Sequence, residues 1–158
     1  MRRAEREVSR AEDIIEMLGR CECLRVAFFA EPAPYIVPLC FGFDAHSGGL
    51  TLYFHSAPEG RKMDLMRAHP RVGFEAEASY RVAAGDSPCG HTAAYESVVG
   101  EGCAYALESP EDKLRAMRLI LGHYGLAGAE SLTSRDLAKT ALIAIRVESV
   151  TGKRNLPR

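Results

Sequence analysis

The sequence predicts a mainly β chain with three singly inserted helices, about six strands in an antiparallel sheet curled into a small closed or split barrel. Three observations carry this. Short apolar runs alternate with the period of two that marks half-buried strands. Most connections between those runs are too short for the helical crossover that parallel strands require. So many short strands are best protected by closing the sheet, which removes its open edges. With 158 residues, 47% hydrophobic and 26% charged, the chain suits one soluble domain, residues 1–158, with one core.

Ser9 is placed to cap a first helix over residues 10–18. There Ile14, Ile15, Met17 and Leu18 recur at helical spacing, and Glu12 and Asp13 suit the positive helix end. Residues 23–30 form a short apolar strand, ended by Glu31-Pro32-Ala33-Pro34, and a second run over 35–43 reads as its hairpin partner. Pro38 cannot donate to a ladder, so it marks an edge or a bulge. His46-Ser47-Gly48-Gly49 reads as a turn. Residues 50–56 then alternate Leu50, Leu52, Phe54 against Thr51, Tyr53, His55, giving the strand two different faces.

A helix over 59–69 follows, with Met63, Leu65 and Met66 inward and Pro70 ending it. Residues 71–77 return as a strand. The Gly, Ser, Pro and Ala content of 78–91 predicts a long loop, and 92–107 a strand with a bend or bulge at Gly100 and Gly102. Ser109-Pro110-Glu111-Asp112 caps a helix reaching Tyr124, with proline at its first position. Its Leu114, Met117, Ile120 and Leu121 point to a buried stripe. Residues 125–139 read as a linker with one short helix near 134–139, 140–149 as a β-branched last strand, and Thr151-Gly-Lys-Arg-Asn155 as a tail.

A net charge of −1 makes no case for nucleic acid as a partner. The charged N-terminal stretch lacks the apolar centre of a secretory signal, and no apolar run approaches the length of a membrane span. Five cysteines, an odd number in no framework spacing, point to reduced thiols and a cytoplasmic protein. Cys21-x-Cys23 and Cys89-x-His91 have one residue within each pair, where structural zinc pairs take two to four. Cys23 also opens an apolar strand, where a thiol packs as a small hydrophobe. No metal is expected.

The stretch YFHSAPEGRKMDLM, residues 53–66, concentrates the chemistry. The first N–H groups of a helix lack partners within it and form a natural phosphate site. Gly60 would let a ligand approach the backbone, Arg61 and Lys62 add charge, and Ser56 adds a hydroxyl. The competing reading is a solvated corner, with Arg61 and Lys62 on an exposed helix face and Glu59 pairing nearby. The glycine spacing of a Walker loop is absent. His55, just before this turn, reads either as a satisfied structural residue or as a catalytic group or axial metal ligand.

Taken together, several motifs resemble one family: Pro34-Tyr-Ile-Val-Pro-Leu39 with Phe41-Gly42-Phe43, Leu52-Tyr-Phe-His-Ser-Ala57 with Gly60-Arg-Lys62, Tyr95-x-Ser97-Val-x-Gly100-x-Gly102, and Thr151-Gly-Lys153 after an initial Arg2-Arg3. The chain resembles the flavin-binding split-barrel proteins related to pyridoxamine 5′-phosphate oxidase, in the branch named for nitroimidazole-resistance proteins. The resemblance implies a six-stranded split barrel that dimerises, with FMN at the subunit interface. It sets the flavin ring against Val37, Pro38, Leu39 and Cys40, and the phosphate on Ser56, Arg61 and Lys62. His55 and Ala57 would line the flavin edge, with Tyr95 and Ser97 nearby from another strand. Cys40 stands where the family commonly has Asn, and a thiol is a weaker donor and acceptor.

The function so implied is an FMN-dependent oxidoreductase that reduces a small acceptor, such as a nitroimidazole, with a nicotinamide donor. His55 is the candidate catalytic residue. The alternatives are a split-barrel protein holding heme, through His55 or His91, one holding deazaflavin, or a flavin-binding protein without turnover.

Overall fold

The computed structural model describes residues 4–46 and 49–156. Arg2-Arg3, and Ser47 and Gly48 of the expected turn, lie outside the described residues. The elements run β1 (Glu7–Val8), α1 (Ala11–Arg20), β2 (Leu24–Phe28), β3 (Tyr35–Leu39), β4 (Phe41–His46), β5 (Gly49–Ser56), α2 (Arg61–Ala68), β6 (Arg71–Ala83), β7 (Thr92–Ala106), α3 (Pro110–His123) and β8 (Ala141–Asn155). One antiparallel sheet holds all eight strands in the order β3-β2-β6-β7-β8-β5-β4, with β1 added against β8. Among the described residues no helix is long and apolar enough to cross a membrane.

The expected mainly β antiparallel architecture with three inserted helices is present, and two details raise six strands to eight. The run 35–43 is not one strand. It breaks at Cys40, and its halves take opposite ends of the sheet order. Consecutive Cα atoms lie only about 3.8 Å apart, so the sheet must curl until its two edges nearly meet at Cys40. That curl is the split barrel. The other addition is β1, whose Val8 faces Gly152.

Interior side chains follow the period of two. Leu24, Val26 and Phe28 of β2, Leu52 and Phe54 of β5, and Ile143 and Ile145 of β8 fill the barrel with Met17 and Leu18 of α1 and Met63 and Met66 of α2. The opposite faces of β5 and β8 present Tyr53, Leu142 and Ala144 to α3. Of the two faces read in residues 50–56, the Leu52–Phe54 face is buried in the barrel, and the other is buried at Tyr53 but exposed at His55. On α3 the buried positions are Ala116 and Ile120, with Leu114 and Met117 packed at their flanks, while Leu121 of the expected stripe is only half-buried.

Other boundaries shift for identifiable reasons. Helix α1 takes Arg10, not Ser9, as its N-cap, and that cap makes no side-chain hydrogen bond. Helix α2 starts at Arg61 rather than at residue 59, because Gly60 caps it at φ +118°, outside helical space. The expected loop at 78–91 is largely strand. After a register shift between Glu77 and Ser79, β6 pairs on through Ala83 against Thr92, leaving only 84–91 as a connection. The expected tail at 151–155 is the end of β8, held by β7 and, at Gly152 and Lys153, by β1. Residues 134–139 form successive i→i+3 turns and no α-helix. The bulge at Gly100–Gly102 is present as a register shift against β8, and Ser109 caps α3 by accepting the Asp112 N–H at 3.0 Å.

Candidate functional site

At the split, β3 stands on one side and the end of β5, the following turn and α2 on the other. One end is closed covalently, since Cys40 joins β3 to Phe41, which pairs with Phe54. The other end is bridged by Arg61, whose guanidinium carbon sits 4.6 Å from the ring centroid of Tyr35, in cation–π contact. Tyr35 and Arg61 thereby fix the start of β3 against the first turn of α2.

Ser56 shares the inward face of β5 with Leu52 and Phe54, so it is buried, at 5% exposure. Its Oγ has no hydrogen-bond partner among the described residues. Buried hydroxyls ordinarily find one, and this one lies four residues before Gly60, the N-cap of α2. In the first turn of α2, the Met63 and Asp64 N–H groups donate to the Gly60 carbonyl, while the Arg61 and Lys62 N–H groups precede the first intrahelical bond. Among the described residues, neither Arg61 nor Lys62 has a carboxylate within ion-pair distance. The pairing with Glu59 that a plain solvated corner would offer is not made. Asp64 is instead taken by Arg67 at 3.1 Å, and Arg67 also donates to the Pro58 carbonyl at 3.0 Å, bracing the turn from behind.

Along β3, Val37 and Leu39 are half-buried and lean on the barrel core, while Pro38 is exposed. Pro38 faces Arg25 on the edge strand, where its missing N–H costs no ladder bond. Cys40 and Ala57 are exposed, and so is His55, opposite Leu142. These residues and Ser56, Arg61 and Lys62 lie on β3 or directly after it, at the end of β5 and in the turn and first residues of α2, the segments on either side of the split. Tyr95 and Ser97 do not. Ser56 faces Ala141 at the start of β8, whereas Ser97 faces Lys153 near its end. Twelve residues of strand separate those two rungs, about 40 Å along the chain at 3.3 Å per residue. Tyr95 lies under Lys153, with Nζ 5.6 Å from the ring centroid. His91 sits in the 84–91 connection, its Nδ1 accepting the Gly85 N–H at 2.9 Å.

The sequence reading missed the brace at the end of α3. Tyr124 Oη accepts the Phe41 N–H at 3.1 Å and donates to the Glu22 carbonyl at 2.8 Å. His123 Nε2 lies 2.7 Å from the Cys21 carbonyl oxygen, and its ring packs on Phe41 at 4.4 Å. Burial pushes the Tyr124 phenol above its ordinary value, with Cys40 adding to the shift. No local signal marks these two residues, since their partners are distant in sequence. Cys21, buried and donating to the Met17 carbonyl at 3.2 Å, has its thiol pushed up to about 12, first by burial. As a protonated, buried thiol it packs as a small hydrophobic group.

A sequence profile of the family described as pyridoxamine 5′-phosphate oxidase matches residues 10–154. Among solved structures, the chain is similar to a candidate 5-nitroimidazole antibiotic resistance protein from Bacteroides thetaiotaomicron, at TM-score 0.78 and 23% identity over 93% of this chain and 85% of that one. A FAD- and heme-binding protein from Mycobacterium smegmatis matches at TM-score 0.83 and 15% identity, over 96% of this chain and 74% of that one. A FAD-binding protein from Mesorhizobium loti matches at TM-score 0.65 and 26% identity, over 96% and 98%. No functionally curated protein matches the chain.

Proposed function

The chain belongs to the pyridoxamine 5′-phosphate oxidase family, and from that premise we propose that it is an FMN-dependent oxidoreductase built as a single split-barrel domain and working as a homodimer in the cytoplasm. The observation that carries this is the buried Ser56 hydroxyl, without a hydrogen-bond partner among the described residues, shortly before Arg61 and Lys62, which have no carboxylate partner among the described residues, at the start of α2. A hydroxyl, two cations and free helix N–H groups are the donor set a phosphate monoester takes. Ser56, Arg61 and Lys62 would hold the FMN phosphate, and Val37, Pro38, Leu39 and Cys40 would flank the ring, with His55 and Ala57 along its edge. Bound there, FMN would supply two-electron transfer from a nicotinamide donor to a small acceptor, a nitroaromatic such as a nitroimidazole being the candidate. The backbone edge of β3 would orient the ring, and the Arg61–Tyr35 contact would hold the cleft to width. His55 is exposed at the rim, where it could donate a proton to a reduced acceptor.

The homodimer reading draws on two features. Tyr95 and Ser97 lie far from Ser56 along one chain, so a second copy would bring them to the cleft. The outer face of β3-β2-β6-β7 is also uncovered, with Ile36 at 61% and Val99 at 52% exposure around a depression of about 410 Å³ floored by Ala27 and Gly73. Apolar surface of this kind suits an interface.

The test is the absorption spectrum of the purified protein, with mass spectrometry of the released cofactor and sedimentation of the complex. A flavin spectrum, the mass of FMN and a dimer are expected. An intense Soret band without flavin, or the mass of a deazaflavin, would overturn the cofactor assignment. A turnover assay with a nicotinamide donor and a nitroimidazole separates an enzyme from a carrier.

A further inference from the structure

The β2–β3 hairpin has a cysteine just beyond the paired end of each strand. Its register runs Val26↔Val37, Arg25↔Pro38, Leu24↔Leu39, where the pairing ends, and Cys23 and Cys40 are the next residues on the two segments. One rung further, Glu22 and Phe41 do not bond directly. The Tyr124 hydroxyl stands between them, taking the Phe41 N–H and giving its proton to the Glu22 carbonyl. The two segments therefore still run side by side one residue past the cysteines, and a ladder continued that far makes 22 and 41 a hydrogen-bonded rung and 23 and 40 a non-hydrogen-bonded one, where side chains approach most closely. On that continuation Cys23 takes the outer face with Arg25, and Cys40 takes it with Pro38.

Facing Cα atoms on antiparallel strands lie about 4.5–5.5 Å apart, inside the roughly 4.4–6.8 Å window of a disulfide. Both thiols are free; Cys40 is exposed and Cys23 half-exposed. The geometry points to Cys23 and Cys40 as a cross-strand redox pair that closes to a disulfide under a low-molecular-weight disulfide such as oxidised glutathione. The exposed Cys40 thiolate attacks one sulfur of glutathione disulfide, expelling one glutathione thiolate. The Cys23 thiolate then attacks Cys40 in the mixed disulfide and expels the second. The protein thiols lose two protons and two electrons, and the glutathione disulfide gains them. Closure would tie the start of β2 to the point where the chain crosses between sheet edges, fixing one end of the split. This pairing stands on the continuation of the β2–β3 ladder past Leu24 and Leu39 to the Tyr124 bridge, and needs no bound flavin.

The test treats the purified full chain with oxidised glutathione, blocks remaining thiols with a maleimide under denaturing conditions, and maps non-reduced peptides. Trypsin divides the segment at Arg20, Arg25 and Arg61, putting Cys23 and Cys40 on adjacent but separate peptides. The expected product is those two peptides joined, with Cys21 carrying maleimide, and its yield falls at least tenfold in Cys23→Ser. Glutathione remaining on Cys40 of the wild-type chain with no joined peptide would overturn the pairing. So would a joined peptide that persists in Cys23→Ser, since Cys21 would then be the partner.

Discussion

The Tyr124 hydroxyl accepts the Phe41 N–H at 3.1 Å, just past the point where the chain leaves one sheet edge for the other. The same oxygen donates to the Glu22 carbonyl, so one side chain satisfies two backbone groups from two segments. Tyr124→Phe keeps the ring and removes both bonds. Water reaches part of this site, which tempers the penalty, and a loss of about 1 kcal/mol is expected in urea unfolding. An unchanged midpoint would show that the hydroxyl does not brace the split.

Ser56→Ala separates the two uses of a buried hydroxyl. Its Oγ bonds to nothing among the described residues. Removing an unsatisfied buried polar atom should leave the cofactor-free protein as stable as before, or more stable by up to about 1 kcal/mol. FMN affinity, followed by quenching of flavin fluorescence, should fall about fivefold or more. A loss of stability with full FMN affinity would assign the hydroxyl to the fold.

Arg61→Ala with Lys62→Ala should lower FMN affinity more than tenfold, since charge-assisted bonds to phosphate contribute on the order of 1.5–3 kcal/mol each. Neither side chain has a carboxylate to lose among the described residues, and Arg61→Ala gives up the Tyr35 contact, about 0.5–1 kcal/mol of stability at an exposed site. Retention of FMN by the folded double variant on gel filtration would remove this turn from the cofactor site.

How far the sequence carries can be read from these same residues. The turn before α2 was legible because its signals are local: a strand period ending at Ser56, a proline, a glycine and two cations. The Ser109 cap was legible for the same reason. The break at Cys40 was not, because apolar residues continue on both sides and only the closing sheet decides where the run divides. Residues 78–83 have the composition of a loop, yet the facing Thr92–Glu96 segment supplies their ladder. The contact of Arg61 with Tyr35 joins elements distant in sequence, and no periodicity in either predicts it.

Alkaline pH should weaken the fold through Cys21. Burial raises its thiol from 9.0 to about 12. Below about 9 the thiol is protonated in both folded and unfolded chains, so its contribution is fully present. Between 9 and 12 the unfolded chain ionises while the folded chain holds its proton, and stability falls as pH rises. Tyr53 and Tyr124, also raised chiefly by burial, act in the same direction at higher pH. Urea midpoints from pH 8 upward should therefore decline, and the decline should be shallower in Cys21→Ala. Identical slopes would show that Cys21 ionises as freely in the fold as outside it.

Gly42 is where α3 rests on β4, and its lack of a side chain permits the approach. A Cβ there would fall 2.5 Å from the Leu119 carbonyl carbon and 2.6 Å from the Ile120 nitrogen. Both are backbone atoms of a helix seated on the sheet face that Gly42 shares with its lateral neighbours Tyr53 and Ala144, so relief comes only by moving the helix off that face. Gly42→Ala must lift α3, which carries His123 and Tyr124 away from Cys21, Glu22 and Phe41. Overpacking costs about 1–3 kcal/mol, and losing the Tyr124 bridge adds about 1 kcal/mol more. A combined loss of about 2–4 kcal/mol is expected by urea unfolding. Tyr124→Phe should then cost less in the Gly42→Ala background than in the wild-type chain, because the bridge is already broken. Additive losses in that double-mutant cycle would mean that α3 does not transmit its seating on Gly42 to the closed end of the cleft.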